Sequence, residues 1–129
     1  MQKYAAEDFD PPAPVAYVVL RNLTTGASLD NVPLLIDTGA DVTALPLAYV
    51  EKLGIKPDKH KFYEAIGFDG QSRIVNMVEL EIEFLDCKFK GQFLLVDQPT
   101  GFLGRNILNN LRILFDGPRG EWGEQKRQN

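Results

Sequence analysis

Apolar residues along the chain recur with a period of two or in short runs, and both patterns predict strands. In Glu79–Phe84 acidic and apolar residues alternate strictly, which predicts a strand that packs on the core through Leu80, Ile82 and Phe84. Other runs are rich in β-branched and aromatic residues, which also favour strands. The predicted strands are Val15–Leu20, Val32–Ile36, Lys61–Ile66, Arg73–Phe84, Lys88–Val96 and Arg112–Phe115. The fold class is therefore expected to be all-β.

Helical signal is weak by comparison. Leu47–Leu53 and Asn106–Leu111 each predict one or two turns of helix, too short to build a helical bundle. The polar region Asn22–Asn31 predicts a turn between strands. The proline-rich segment Phe9–Pro14 lacks the backbone donors that a central strand needs, so it predicts an extended arm.

Length and composition indicate one domain with one core. The chain has 129 residues, of which 44% are apolar and 25% charged, and single cores commonly serve domains of about 100–150 residues. No apolar run approaches the ~20 residues that a membrane-spanning helix requires. We expect residues 1–14 to form the arm, residues 15–122 the folded domain, and residues 123–129 a disordered tail.

Charge and cysteine content exclude several classes of function. The formal net charge of -4 disfavours nucleic-acid binding, which requires a concentrated basic surface. Cys87 is the only cysteine, so neither an intrachain disulfide nor a cysteine-based zinc site can form. His60 has no second histidine or cysteine nearby, and no metal site is predicted. The first ten residues lack the apolar segment of a secretory signal, so a cytoplasmic location is expected.

The sharpest chemical feature is an apolar strand that runs directly into an acid, Asp37. Apolar neighbours withhold water from a carboxylate, so its charged form needs hydrogen bonds. Thr38 and Gly39 are suited to provide them: glycine lets a backbone N–H approach the carboxylate closely, and the threonine hydroxyl can bond to a neighbouring main chain. The predicted result is a rigidly held, hydrogen-bonded carboxylate.

A further signature, Phe102–Leu108, lies well downstream of the first, Leu35–Asp41. Together they resemble the retropepsin family, the single-domain aspartic proteases of retroviruses and their cellular and bacterial relatives. The Leu35–Asp41 segment resembles the catalytic loop of the family, and the Phe102–Leu108 segment is similar to its hydrophobic-hydrophobic-glycine segment that leads into a single helix. Over residues 15–115, the resemblance implies a closed β-barrel or sandwich subunit with a flap hairpin and one short C-terminal helix.

The resemblance also implies an aspartic endopeptidase that needs no metal or organic cofactor. Such enzymes use two carboxyl groups that share a proton. No aspartate other than Asp37 precedes Thr-Gly or Ser-Gly, and the chain has no internal repeat. The second carboxyl is therefore expected from another copy, in a C2 homodimer that brings two Asp37 residues together.

Further site residues follow from the same resemblance. Asp41 and Arg105 are expected to form an ion pair between the catalytic loop and the helix. A flap hairpin is expected to close over a peptide or protein substrate that is held as an extended strand. The hairpin consists of Lys61–Ile66, the tip Gly67–Gly70 and Gln71–Met77. The expected substrate-binding residues are Ala40, Val42, Ile66, Gly67, Phe68, Thr100 and Phe102. Leu35 fits a position in the pocket wall and a position in the core equally well.

Two other hypotheses fit the sequence. The flap tip departs from the glycine-rich family pattern at Phe68 and Asp69, so the chain could be an inactive retropepsin-like module for dimerisation or peptide binding. Alternatively, the chain is a monomeric β-barrel in which the Asp-Thr-Gly turn is coincidental. A cleavage assay separates the first alternative from an enzyme, and sedimentation at two concentrations tests the other.

Overall fold

A computed structural model of the chain describes residues 1–66 and 70–126, with the backbone alone described at 58–66 and 72–74. The elements in chain order are β1 (Gln2–Lys3), β2 (Val15–Arg21), β3 (Ser28–Ile36), β4 (Ala44–Pro46), α1 (Leu47–Lys52), β5 (Asp58–Ile66), β6 (Ser72–Phe84), β7 (Cys87–Val96), β8 (Gly101–Leu103), α2 (Arg105–Leu108), β9 (Ile113–Asp116) and β10 (Glu121–Glu124). In these described ranges, no helix is long and apolar enough to cross a membrane.

Seven strands form one sheet that closes on itself. Their order is β2-β3-β8-β4-β7-β6-β5, and an additional pairing of β2 with β6 joins the two sides into a closed barrel of six strands. Strand β5 extends β6 as a hairpin outside the ring. Closure removes the exposed edges that an open sheet of this size would present. The all-β fold class predicted from the sequence is confirmed.

The core lies inside the barrel and is built from alternate strand positions. Leu80 and Ile82 are fully buried and Phe84 nearly so, as the alternation in this segment predicts. Trp122 of β10 is also fully buried, and its ring centroid lies 6.0 Å from that of Phe84. This contact packs the strand pair near the C-terminus against the barrel.

Glu81 departs from the simple alternation. The pattern in β6 predicts a solvent-facing side chain, yet Glu81 is only 4% exposed. The cause is barrel closure: Arg21 of β2 pairs with Glu81 in the antiparallel register, and the guanidinium donates to the carboxylate at 2.5 Å. A cross-strand ion pair compensates the desolvated carboxylate. Only the tertiary pairing of β2 with β6 creates this contact.

Other differences concern short or connecting segments. Strands β4 and β8 were not predicted, because three residues are too few to show a period of two. Residues 28–31, predicted as turn, belong to β3, since Ser28 pairs with Arg21 and Leu29 with Leu20. The turn is correspondingly tighter, and the Asn22 side-chain oxygen accepts backbone N–H groups from the two threonines that follow Leu23.

The two ends of the described chain meet in a separate three-stranded sheet of order β1-β10-β9. Gln2 pairs with Trp122, so the predicted extended arm contributes a strand. Gly123 and Glu124, assigned to a disordered tail by sequence, lie in β10 and pair with β9. Residues 127–129 lie outside the described residues. We call this unit (β1, β9 and β10) the terminal sheet.

Candidate active site

The barrel brings the two sequence signatures side by side. Strand β3 runs parallel to β8, with Leu35 opposite Phe102 and Ile36 opposite Leu103. Strand β4, which follows the Asp37 loop, lies on the other side of β8 in antiparallel pairing. The end of β3 and the start of α2, far apart in sequence, are therefore neighbours at one end of the barrel.

Asp37 is held by hydrogen bonds from both of these segments. Its backbone N–H donates to the Leu103 carbonyl at 3.0 Å, and the Gly39 N–H donates to its carboxylate Oδ1 at 2.9 Å. Asp37 itself is half-buried. A Cβ at position 39 would lie only 3.1 Å from the carboxylate oxygen, so glycine permits the close approach. The Gly39 N–H thus provides the close hydrogen bond that the motif predicts, while Thr38 contributes its carbonyl as an acceptor for Arg105.

Thr43 and Asn106 join the loop after Asp37 to helix α2. The Thr43 N–H and hydroxyl both donate to the Asn106 side-chain oxygen, at 3.1 and 2.8 Å. The Gly104 N–H in turn donates to the Thr43 hydroxyl oxygen at 3.0 Å. Thr43 is fully buried, so these bonds satisfy polar groups that water does not reach. The network makes the loop and the helix one rigid unit.

We expect Thr43→Val to destabilise the fold by about 2 kcal/mol, because it leaves the Gly104 N–H buried without an acceptor. The free energy of unfolding from urea titration measures the change. Thr43→Ser keeps the hydroxyl and serves as the matched control, with a smaller loss expected. A loss in Thr43→Val no larger than that in Thr43→Ser would contradict a stabilising role for the hydroxyl.

Arg105 makes another connection between the helix and the loop. Its guanidinium donates to the Thr38 carbonyl at 2.7 Å, and its backbone N–H donates to the Ala40 carbonyl at 2.8 Å. The sequence predicted that Arg105 ties helix to loop through an ion pair with Asp41. Arg105 does connect the helix to the loop, through hydrogen bonds to backbone carbonyls. The ion pair with Asp41 stays a prediction.

Two predicted substrate-binding residues line one cavity. Thr100 and Phe102 lie with Leu35 around a space of about 300 Å³. Leu35 and Phe102 are half-buried, while their neighbours Ile36 and Leu103 are buried in the core. The alternation places Leu35 and Phe102 on the outer face of the sheet, and Leu35 lies two residues before Asp37.

The other predicted substrate residues have different surroundings. Ala40 and Val42 are half-buried in the loop after Asp37, and their backbones pack against Gly104. In the predicted flap, β5 and β6 form the expected hairpin, with Ile66 opposite Ser72. Gly67, Phe68 and the Ile66 side chain lie outside the described residues. Substrate contact by these five residues stays a prediction.

Sequence reasoning did not single out Thr43 or Asn106. The available signal was a hydroxyl residue inside an apolar run, Val42–Leu45, since buried polar side chains need partners. No comparable signal marks Asn106, because a polar residue at the start of a short helix is ordinary. In the part of the chain that the structure describes, no group of three or more histidine, cysteine or acidic side chains could hold a metal ion.

A family model described as aspartyl protease matches residues 14–107, a span that contains the first signature and the second as far as Ile107. The chain belongs to the aspartyl protease family. Among solved structures, it is similar to EIAV protease complexed with the inhibitor HBY-793, at 26% identity and a TM-score of 0.54, over 76% of this chain and 86% of that one. No curated protein sequence matches the chain significantly. The fold is thus a retropepsin-like protease subunit, as the resemblance implied.

Proposed function

We propose that the protein is an aspartic endopeptidase that acts as a homodimer, with Asp37 from each copy forming the catalytic pair. The observation that carries the proposal is the hydrogen-bonded Asp37 loop, which places one rigid, accessible carboxylate at the end of the barrel. The chain encodes a single Asp-Thr-Gly sequence. Membership of the aspartyl protease family supports the chemistry.

Peptide hydrolysis by such a pair divides the work between two carboxyl groups. The ionised group takes a proton from a water molecule, whose oxygen attacks the peptide carbonyl, while the protonated group donates to the carbonyl oxygen. Collapse of the tetrahedral intermediate breaks the C–N bond as the amide nitrogen receives a proton. One Asp37 cannot perform both roles.

A groove beside the Asp37 loop supports docking of another copy there. Its volume is about 200 Å³, and it runs from the loop across α2 to the terminal sheet. The residues that line it are Thr38, Arg105, Leu108, Asn109, Leu111, Ile113 and Phe115. An isologous contact along this groove would bring the two Asp37 loops to the symmetry axis, with the exposed Thr38 side chains facing the partner.

The terminal sheet exposes apolar side chains, and Phe115 among them lines the groove. Leu114 and Phe115 of β9 are 48% and 43% exposed. Among the described strands, β9 pairs with β10 alone, which leaves its other edge open. Open edges with exposed apolar side chains favour pairing with another chain. We infer that β9 belongs to the dimer interface.

Phe115→Glu is therefore expected to weaken the dimer at least about tenfold, because it places a charge in an apolar contact that repeats across the symmetry axis. Sedimentation velocity over a range of protein concentrations measures the dissociation constant. Cleavage activity per chain should fall in parallel at low concentration and recover as concentration rises.

Leu23→Glu is the matched control for this variant. Leu23 is also 43% exposed, but it lies on the β2–β3 turn and does not line the groove. We expect the dimer of the Leu23→Glu variant to have the same dissociation constant as that of the wild type. Equal weakening by both substitutions, or no weakening by Phe115→Glu, would place the interface elsewhere.

We further propose that the β5–β6 hairpin acts as a lid over the substrate. Gly70, at the described side of its tip, has φ of +78°, a conformation that glycine adopts readily. The substrate would add as an extended strand, with main-chain hydrogen bonds for affinity and side-chain pockets for selectivity. Excluding water from the carboxyl pair would strengthen its electrostatic interactions.

A peptide-library cleavage assay from acidic to neutral pH, with and without a statine-type inhibitor, tests the function directly. We expect inhibitor-sensitive cleavage. Binding of the library peptides without any cleavage would favour the inactive module over the enzyme.

A further inference from the structure

Residues 5–13 form a closed loop beside the candidate site. Ala5 and Ala13 exchange backbone hydrogen bonds of 2.8 and 3.0 Å, which join the two ends of the loop. The carbonyl of Pro14, directly after it, accepts the Ile36 N–H at 3.0 Å. The loop is thereby anchored to β3 one residue before Asp37.

Between Ala5 and Ala13, Phe9 is the one half-buried side chain. Residues 6–8 and 10–12 are exposed, whereas Phe9 is half-buried. Phe9 and Asp8 line the 300 Å³ cavity together with Leu35 and Phe102 of the sheet. A half-buried aromatic side chain contributes a large apolar surface to such a cavity.

The cavity adjoins the proposed catalytic group. Leu35, which lines the cavity, lies two residues before Asp37, and β3 ends between them at Ile36. A substrate side chain near the cleaved bond could therefore reach the cavity while the peptide backbone lies at Asp37. The volume of about 300 Å³ is large enough for one long side chain.

The residues that line the cavity are of three chemical kinds. Phe9, Leu35, Pro99 and Phe102 supply apolar surface, whereas Gln98 and Thr100 supply neutral polar groups. Asp8 supplies the charge, and the described lining residues contain no lysine or arginine. A largely apolar cavity with one carboxylate among its lining side chains complements a side chain with an aliphatic stem and a cationic end.

We propose that Asp8 and Phe9 are specificity-determining residues, and that the cavity selects arginine or lysine in the substrate. This inference rests on the proposed protease function and names its substrate class. Phe9 packs along the aliphatic stem of the substrate residue, and Asp8 pairs with its charged end. Because Asp8 is exposed, the ion pair adds selectivity of a few fold.

The test uses peptides that carry arginine, lysine, norleucine or glutamate in turn at each position flanking the cleaved bond. At one position we expect kcat/KM to be highest for arginine or lysine and lowest for glutamate. In Asp8→Asn, the ratio of kcat/KM for the arginine peptide to kcat/KM for the norleucine peptide at that position should fall about threefold to fivefold. In Asp8→Lys, kcat/KM should be higher for the glutamate peptide than for the arginine peptide.

Glu7→Gln is the matched control, because it removes the same charge from an exposed neighbour that does not line the cavity. It should retain the arginine preference. Raising the salt concentration should lower the preference in the wild type and leave Asp8→Asn unchanged, a response that a purely structural role for Asp8 would not produce. No basic preference at any position, or an equal loss in the Asp8→Asn and Glu7→Gln variants, overturns the proposal.

Failure of the proposed function would give a different result. Reduced-amide peptides that cannot be cleaved report the same selectivity through their dissociation constants, measured by calorimetry. Binding that favours arginine and weakens in Asp8→Asn supports the pocket even where no peptide is cleaved, while absent cleavage contradicts the protease function alone. Cleavage without basic preference contradicts the pocket alone.

Discussion

Asp37→Asn should abolish peptide hydrolysis, with a loss in kcat of about 10³-fold or more. The amide is nearly identical in shape and can still accept the Gly39 N–H through its oxygen, so the loop should keep its structure. It cannot accept a proton from water. Turnover of a fluorogenic peptide measures the loss, while thermal unfolding and sedimentation verify the fold and the dimer.

Asp30→Asn makes the same chemical change at an exposed position of the same strand, far from the loop, and should retain activity. Cleavage by Asp37→Asn at a rate near that of the wild type would contradict the catalytic assignment. Loss of activity together with loss of the dimer would instead show that Asp37 acts through assembly.

Gly104→Ala should destabilise the fold strongly. A Cβ at this position would lie 2.7 Å from the Val42 carbonyl carbon and 2.9 Å from the Ala40 carbonyl oxygen. Both are backbone atoms of the catalytic loop, so no flexible side chain can move aside. Overpacking of this kind costs about 3 kcal/mol, and the expected drop in Tm is roughly 10 °C.

Because the displaced backbone includes the Ala40 carbonyl, which accepts the Arg105 N–H, activity of Gly104→Ala should also fall. Gly91→Ala is the control: a Cβ there would meet Phe93 at an ordinary 3.9 Å. Its unfolding free energy should change by less than about 0.5 kcal/mol. Similar stability of the two variants would show that the loop can adjust, and that the close approach at Gly104 is not required.

Much of the site was predictable because its chemistry is local in sequence. Asp37, Thr38 and Gly39 adjoin one another, so the pattern of strand, acid and glycine predicts a held carboxylate without any tertiary information. The alternation in β6 likewise predicts Leu80 and Ile82 as core residues, because the period of a strand is a property of its own backbone.

Contacts between distant segments were not predictable in this way. Thr43 meets Asn106 across 63 positions, and Arg21 meets Glu81 across 60. Nothing in the local sequence around either residue identifies its partner, since the barrel register decides which side chains face each other. The three-residue strands β4 and β8 exist for the same reason: their neighbours supply the hydrogen bonds that define them.

The sequence by itself determined the strand-rich fold and the position of the Asp37 loop, because both follow from residue type and short-range spacing, and its resemblance to the retropepsin family implied a second carboxyl group. The tertiary structure alone decided that Glu81 is buried, that Thr43 joins loop to helix, and that Phe9 and Asp8 stand beside the Asp37 face. Those outcomes depend on which strands pair when the barrel closes, and strand pairing is a property of the whole chain.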